Sequence, residues 1–335
     1  MEEQEGFLPE GEQEKIVEPV RIAPLPYVEK SFTHWGQFGL LIAFLGAGII
    51  VGSIVSIIIV KIMSPHIHLL ELEKEILDPA NANAMKVMQL VSTIFMFLIP
   101  ALMLGWIVHK KPLPYLGFNL KFTWEQIVLV VFIAVMALLA GSLLGDLNEK
   151  IPISKHLQDY FKNKENEYSE QIMAIAQIRN FSEFLIALFV IALMPAIVEE
   201  TFFRGAMQQL FISWFRNPWV GIVVTGVIFS AIHFSYYGFL TRAMLGIVLG
   251  LLFYYSKSIW LNILAHFLNN AAAVSQLYYY SMKGKLTKDS LNDHYPYWLG
   301  LSGVVILFFL LVIFKKRSEE FLAEDNLLLS QNNIS

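Results

Sequence analysis

Two adjacent glutamates and an arginine interrupt a long apolar run in the second half of the chain. Residues 197–205 read IVEETFFRG, which places Glu199, Glu200 and Arg204 among apolar neighbours. Insertion of one charge at the centre of a spanning helix costs about 2.5–3.5 kcal/mol. Because ionisable groups that are kept at such a cost usually serve a function, this segment is a candidate for a buried polar site.

The spacing of the three charges predicts different roles for the two glutamates. Glu200 and Arg204 are four residues apart, so on a helix they share a face and can form an ion pair. Each helical residue is rotated by about 100° from the previous one, which leaves Glu199 free to face a cavity. Pro195 can kink the same helix four residues earlier. Apolar residues continue to Trp214, so we expect the glutamates to lie well inside a long kinked helix.

Two histidines and two asparagines lie in later apolar segments. His233 follows Phe229 by four residues in FSAIHF, and His266 and Asn270 are four apart in LAHFLNN. His266 and Asn270 therefore share a helix face, and Asn269 lies within reach of it. Each group taken alone is explained by hydrogen bonding between packed membrane helices.

Together these side chains are the parts of a hydrolytic centre. A carboxylate and a neutral imidazole can hold a water molecule and deprotonate it. A second imidazole and an amide can donate hydrogen bonds to a developing oxyanion. Alternatively, Glu199, His233 and His266 could ligate a zinc ion and leave one coordination position open.

The composition places these residues in a membrane protein. The chain of 335 residues is 56% hydrophobic and only 16% charged, with a mean hydropathy of +0.55, whereas a soluble domain is roughly half apolar and a quarter charged. A net charge of −4 does not predict a nucleic-acid partner. The absence of cysteine excludes disulfides, thiolate metal sites and a cysteine nucleophile.

Long apolar blocks predict an all-α fold, a polytopic transmembrane helix bundle of about eight spans. Basic clusters at 110–111 and 315–317 fall on the same side as the termini, which places both termini in the cytoplasm. The predicted spans are 38–62, 87–108, 124–144, a fourth that begins near 184 and contains the glutamates, 219–234, 239–255, 259–280 and 298–314.

Four regions follow from this pattern. Residues 1–35 are predicted to form a disordered acidic cytoplasmic tail. Residues 36–180 contain N-terminal transmembrane helices and a surface loop, 181–281 the catalytic core, and 282–335 the last transmembrane helix and a cytoplasmic tail. The polar loop 146–180 has partial helical spacing, which fits either a helix on the membrane surface or a solvated loop helix.

Three motifs carry a resemblance to a known family. Glu199-Glu200-x-x-x-Arg204, Phe229-x-x-x-His233 and His266-x-x-x-Asn270 resemble, in order, the motifs of the CAAX prenyl protease and bacteriocin-processing family, also called the Abi family. Its members are polytopic intramembrane endopeptidases. The resemblance covers about residues 180–275, and no motif is matched in the first 120 residues.

The resemblance implies a role for each matched residue. It makes Glu199 the general base that activates water, with His233 assisting, and His266 and Asn270 the pair that stabilises the oxyanion. Glu200 and Arg204 become the structural ion pair. Members have been classed as metalloproteases, and a metal-free mechanism driven by glutamate has also been argued. No cofactor is therefore certain, and zinc is the candidate.

The same resemblance implies the setting in which the protein acts. The substrate would be a membrane protein or a lipidated peptide, of the prenylated or leader-peptide type, within the lipid bilayer. The absence of a eukaryotic targeting signal favours a bacterial inner membrane.

Two other functions could use the same buried polar residues. The chain could be a non-catalytic immunity or scaffold protein that keeps them for structure, or a transporter in which they form a substrate path. A transporter favours internal repeats with matched broken helices, and the sequence shows none. The sequence also lacks the HExxH ligand pair of zinc proteases and a pair of mid-membrane aspartates.

Overall fold

The computed structural model describes residues 32–175, 178–287 and 296–332, and within these ranges the chain is helical without a β-strand. This confirms the all-α fold class. Residues 1–31, most of the predicted acidic tail, lie outside the described part. The helices are α1 (His34–Met63), α2 (Pro79–His109), α3 (Trp124–Glu149), α4 (Lys155–Ile175), α5 (Phe181–Phe215), α6 (Pro218–Ala231), α7 (Phe239–Ser256), α8 (Ile259–Met282) and α9 (Tyr297–Asn332), with short helical turns at Leu69–Glu71, Leu72–Glu75 and Pro112–Tyr115.

Six of the described helices are long and apolar enough to cross a membrane, so the chain is an integral membrane protein. All eight predicted spans coincide with helices, but α6 and α8 are not among these six. α6 has only 14 residues, which at 1.5 Å per residue is about 21 Å against a hydrocarbon core of about 30 Å. α8 has 24 residues but carries His266 and three asparagines. The polar residues that make α8 a candidate for the site also lower its hydropathy.

The long helix α5 carries the two glutamates near its centre. It runs over 35 residues, so the glutamates do not mark its end. Two π-helical segments widen it, Leu188–Leu193 before Pro195 and Thr201–Gln208 after the glutamates. Proline has no amide hydrogen to donate and its ring crowds the preceding turn, so a wider turn before Pro195 accommodates it. π-helical turns are rare and frequently occur at functional sites.

Glycine residues in α6 and α7 allow α7 to pack closely against α5 and α6. A Cβ atom at Gly246 of α7 would lie 2.8 Å from the Cα atom of Gly226 on α6. A Cβ atom at Gly250 would lie 2.7 Å from Oε1 of Gln208 on α5. Because glycine has no Cβ, the backbone carbonyls of α7 come within reach of polar side chains on α5.

The helix α4 packs on one end of the bundle. The Phe161 ring of α4 stacks on Tyr236 with centroids 4.8 Å apart, and Ser235 Oγ donates a hydrogen bond to Glu165 at 3.0 Å. Asn148, at the end of α3, donates to the Tyr236 carbonyl at 2.8 Å. The predicted loop 146–180 thus contains a helix that docks on the turn 232–238. We name this the α4 end of the bundle; it comprises α4, that turn and the first residues of α7.

Other side-chain contacts tie the opposite end together. Asn119 donates to the Lys257 carbonyl at 2.6 Å, just after α7. Gln126 at the start of α3 donates to Ser318 of α9 at 2.8 Å. Successive long helices therefore run between the two ends of the bundle, and the turn between α6 and α7 lies at the α4 end.

The close approach of α6 and α7 generates a stability prediction. We expect Gly246→Ala to lower the thermal unfolding temperature of the purified protein in detergent, because the added methyl group meets the Gly226 backbone. Gly46→Ala in α1 is the control, because a Cβ there meets nothing within 4 Å. Alanine is favoured over glycine in a helix by about 1 kcal/mol, so Gly46→Ala should not be destabilising. Equal unfolding temperatures for Gly246→Ala and wild type would contradict the packing described.

Candidate active site

An ion pair lies buried at the centre of the site. Arg204 Nη1 donates to Glu200 Oε1 at 2.7 Å, and both side chains are fully buried. Arg204 Nη2 donates to the Gly246 carbonyl at 3.1 Å, and the guanidinium lies 4.8 Å from the centre of the Phe229 ring. This is the pairing expected from the four-residue spacing. It connects α5 to α6 and α7 as well as holding the charges together.

Two side chains of α8 also contact Glu200. His266 Nδ1 lies 2.8 Å from Glu200 Oε1, and Asn262 Nδ2 donates to Glu200 Oε2 at 3.4 Å. Asn262 Nδ2 also donates to the Leu249 carbonyl of α7 at 2.5 Å. A carboxylate paired with arginine is ionised and accepts only, so the hydrogen lies on His266 Nδ1. In the neutral imidazole, Nε2 is then an acceptor.

Glu199 lies on the other side of the same imidazole. Its Oε2 atom is 3.9 Å from His266 Nε2, and the Glu199 side chain is 14% exposed, whereas that of Glu200 is fully buried. The two glutamates thus contact opposite nitrogens of one histidine, and only Glu199 is open to solvent. A separation of 3.9 Å is too long for a direct hydrogen bond.

His233 is oriented by the backbone of its own segment. Its Nδ1 atom lies 2.7 Å from the Phe229 carbonyl, which can only accept, so Nδ1 carries the hydrogen and Nε2 of the neutral ring is an acceptor. The His233 and His266 rings both meet the Phe229 ring edge-on, with centroids 5.0 and 5.9 Å away. The structure brings the two imidazoles to one phenyl ring, but no ion pair joins His233 to Glu199 within the described residues.

Asn270 is half-buried one turn further along α8. Asn269 Nδ2 donates to Asn270 Oδ1 at 3.4 Å. Since that contact uses the Asn270 oxygen, its Nδ2 group is the part that can donate to a ligand.

Two polar residues of the site were not among the sequence-predicted set. Asn262 precedes His266 by four residues, and Gln208 follows Arg204 by four, so both continue a predicted polar face. Gln208 Nε2 donates to the Gly250 carbonyl at 3.0 Å, parallel to the contact of Arg204 with Gly246. Extension of the four-residue spacing in both directions would have found them.

A zinc ion would need Glu199, His233 and His266 around one point. Among the described residues, no three His, Cys, Asp or Glu side chains are grouped closely enough to hold a metal ion. The hydrogen bond of His266 to a buried carboxylate is the outer contact typical of zinc-bound histidines. Glu199, His233 and His266 are nevertheless not grouped closely enough to act as three ligands of one ion. We therefore derive no reaction step through a metal.

The buried pair generates a prediction about stability. Glu200→Gln should destabilise the protein because it leaves Arg204 buried without a counter-charge, which costs about 3–5 kcal/mol in the free energy of unfolding. The neighbouring change Glu199→Gln is the matched control, because Glu199 forms no hydrogen bond with the described residues and is partly exposed. The measurement is unfolding of both purified variants in detergent. A Glu200→Gln protein as stable as the Glu199→Gln protein would rule out the buried pair as a main structural contact.

Comparison with known proteins agrees with the three motifs. Residues 181–272 match the family model of the type II CAAX prenyl endopeptidase Rce1-like proteins. Neither the curated proteins nor the solved structures gave a match to this chain. The matched segment runs from the start of α5 into α8 and contains all of the predicted site residues, namely Glu199, Glu200, Arg204, His233, His266 and Asn270. Over this segment the chain is similar to the CAAX prenyl endopeptidases, and the match supports the resemblance carried by the three motifs.

Proposed function

We propose that the protein hydrolyses peptide bonds of membrane-associated substrates with water activated by Glu199. The observation that carries this proposal is the row of contacts from Arg204 through Glu200 and His266 to Glu199. The row ends at the partly exposed carboxylate of Glu199, which faces His266. The opposite side of the His266 ring is held by Glu200. This arrangement supports general-base catalysis, because base and imidazole are both within reach of one water molecule.

The first step activates water between Glu199 and His266. A water molecule there can donate one hydrogen to the Glu199 carboxylate and the other to His266 Nε2, since the two atoms are 3.9 Å apart. Glu199 removes the first proton, and the oxygen attacks the carbonyl carbon of the scissile peptide bond. The C=O double bond becomes a C–O⁻ single bond, which gives a tetrahedral intermediate.

The second step breaks the peptide bond. Asn270 Nδ2 donates to the oxyanion, which stabilises the intermediate relative to the bound substrate. As the carbonyl re-forms, the C–N bond breaks and Glu199 returns its proton to the leaving nitrogen. The products are a carboxylic acid and an amine, and Glu199 is again a carboxylate because it has given its proton to the amine.

The two histidines share one feature that bears on their roles. Each has Nδ1 committed to an acceptor, so each neutral ring presents an acceptor at Nε2. We infer that His266 holds and orients the water, whereas the family resemblance makes it a donor to the oxyanion, which would require its protonated form. His233 retains its role as the assisting imidazole, placed beside the same Phe229 ring.

The location of the site supports a substrate class. Glu199 lies near the centre of a spanning helix, so the scissile bond has to enter the membrane region to reach it. A lipidated C-terminal peptide or the membrane-anchored segment of a protein meets this requirement. We propose that class, with the bacterial inner membrane as the location.

Removal of the Glu199 carboxylate tests the mechanism. We expect Glu199→Gln to lower the rate of peptide cleavage by about 10²–10⁴-fold, because glutamine cannot take a proton from water. The variant should insert and elute from size exclusion as wild type does. The measurement is cleavage of a fluorogenic peptide with a prenylated cysteine four residues from its C-terminus, with protein reconstituted in lipid vesicles.

Three outcomes of this experiment separate the alternatives. Full activity in Glu199→Gln would refute the assignment of the base. No cleavage of any lipidated or membrane-anchored peptide by wild type would favour the immunity, scaffold or transport role. Loss of wild-type activity with 1,10-phenanthroline and its recovery with added zinc would favour the metal-dependent mechanism.

We also propose that both termini lie in the cytoplasm, as the basic clusters indicate. Since the chain has no cysteine, single cysteines report the orientation without background. Asn163→Cys on α4 and Lys111→Cys after α2 are exposed positions at opposite ends of the bundle. A membrane-impermeant maleimide should label only Asn163→Cys in intact cells and both variants after lysis. The reverse pattern would invert the orientation, and with it the side on which α4 lies.

A further inference from the structure

A cavity of about 300 Å³ lies at the end of the bundle opposite the α4 end. α6 and α9 both pack on α7, and residues of all three helices form the cavity wall. The lining includes three aromatic and two charged side chains, namely Trp219, Tyr254, Tyr255, Lys315 and Glu319. Of the described residues that line it, none belongs to the candidate active site, so the cavity is a separate feature of the molecule.

The cavity lies at the level where the bilayer meets water. The apolar part of α9 ends at Phe314, and three basic residues follow it. Trp219 lies in the first turn of α6, and both tyrosines lie in the last turn of α7. Tryptophan and tyrosine are enriched at membrane–water interfaces, whereas charged side chains are costly deeper in the hydrocarbon. The lining therefore has the composition expected beside lipid headgroups.

An apolar row on α6 leads away from this cavity. Trp219 lines the cavity and is 58% exposed, so the cavity opens at the outer surface of the bundle. Val223 and Val227 follow Trp219 at intervals of four residues and thus share its face of α6. Both valines are exposed, at 41% and 42%. A bound molecule can therefore place a polar part in the cavity and an apolar chain along α6.

Lys315 and Glu319 present opposite charges to the cavity without saturating each other. Nζ of Lys315 is 3.9 Å from Oε1 of Glu319, which is too long for a hydrogen bond, and both side chains are partly exposed. Neither forms a hydrogen bond with another residue that the structure describes. Lys315 Nζ also lies 5.8 Å from the centre of the Tyr255 ring. Lys257 contacts the Tyr254 ring, with its Nζ 4.2 Å from the ring centre, but does not line the cavity.

A phosphoethanolamine headgroup matches this pair of charges. Its phosphate is anionic and accepts hydrogen bonds from an ammonium group such as that of Lys315. Its own ammonium group has three N–H donors for the Glu319 carboxylate, and the face of an indole ring attracts a cation. A phosphoglycerol headgroup has no cation for Glu319 to bind. The trimethylammonium group of phosphocholine has no N–H to donate.

We propose that this cavity binds a phospholipid with a phosphoethanolamine headgroup, one of whose acyl chains lies along Val223 and Val227 of α6. Lys315 binds the phosphate and Glu319 binds the ammonium group, beside the ring of Trp219. The lipid bridges α6 and α9, which both pack on α7, and so stabilises this end of the bundle. The inference goes beyond the proposed peptidase function and does not depend on it.

Native mass spectrometry of the purified protein in detergent tests the proposal. The probes are three phospholipids with identical acyl chains and a phosphoethanolamine, phosphocholine or phosphoglycerol headgroup. We expect the first to bind with a Kd lower than that of the other two by a factor of about three to ten. It should also raise the unfolding temperature most, because a ligand of the folded state stabilises that state. Inorganic phosphate and free phosphoethanolamine should bind about tenfold or more weakly than the lipid, because they bury no acyl chain.

The next residues of α9 supply matched controls. Lys316 and Glu320 repeat the same spacing, with Nζ and Oε1 4.0 Å apart, and do not line the cavity. Glu319→Gln should abolish the preference for phosphoethanolamine over phosphocholine. Lys315→Gln should weaken the binding of all three lipids by about two- to fivefold, as expected for a partly exposed charge. Glu320→Gln and Lys316→Gln should bind the lipids as wild type does.

The wild-type comparison alone can refute the proposal, even where a variant fails to fold. Equal dissociation constants for the three lipids would overturn it. Binding of inorganic phosphate as tight as that of the lipid would also overturn it and identify a simple anion site. Among the variants, equal losses in the control pair and the cavity pair would show that the lipid is not bound in this cavity.

Discussion

One buried carboxylate, Glu200, receives hydrogen bonds from Arg204 and from His266 and Asn262, and so joins α5 to α8. The apolar surroundings make this contact strong and also make any missing partner costly. Arg204 neutralises the charge, and its second amino group extends the network to the Gly246 carbonyl. The imidazole of His266 then has one orientation and one hydrogen position. The side of the site that faces Glu199 is thus organised by a residue that takes no part in the proposed reaction.

In the proposed mechanism, the two adjacent glutamates have different roles, a structural one for Glu200 and a chemical one for Glu199. A rotation of about 100° per residue places Glu200 in the core and leaves Glu199 partly exposed. Both reach the same histidine because α8 crosses α5 at this level, with Nδ1 towards one carboxylate and Nε2 towards the other. A single imidazole therefore connects the fully buried ion pair to Glu199, the partly exposed carboxylate that we propose as the base.

Features that depend on neighbouring residues within one helix could be predicted from the sequence, whereas contacts between distant helices could not. The Glu200–Arg204 spacing and the hydropathy blocks depend only on neighbours within a helix, so the helices and this pairing could be expected from the sequence. The contact of His266 with Glu200 depends on how two distant helices cross, which no spacing specifies. The predicted span 219–234 already indicated a short helix, and α6 ends three residues before the end of that span, at Ala231.

The wide turn Thr201–Gln208 has a consequence for how this helix tolerates changes of length. A π-helical segment is equivalent to one extra residue accommodated within an α-helix, so everything after it is rotated by about 100° relative to an uninterrupted helix. Straightening of the bulge without a change of length would turn the downstream half of α5, with Leu210 and Phe211, away from its present neighbours, whereas deletion of a single residue there would restore regular winding and keep these residues on their present faces. A helical wheel drawn at 100° per residue through the whole of α5 would therefore assign residues on one side of this segment to the wrong face of the helix.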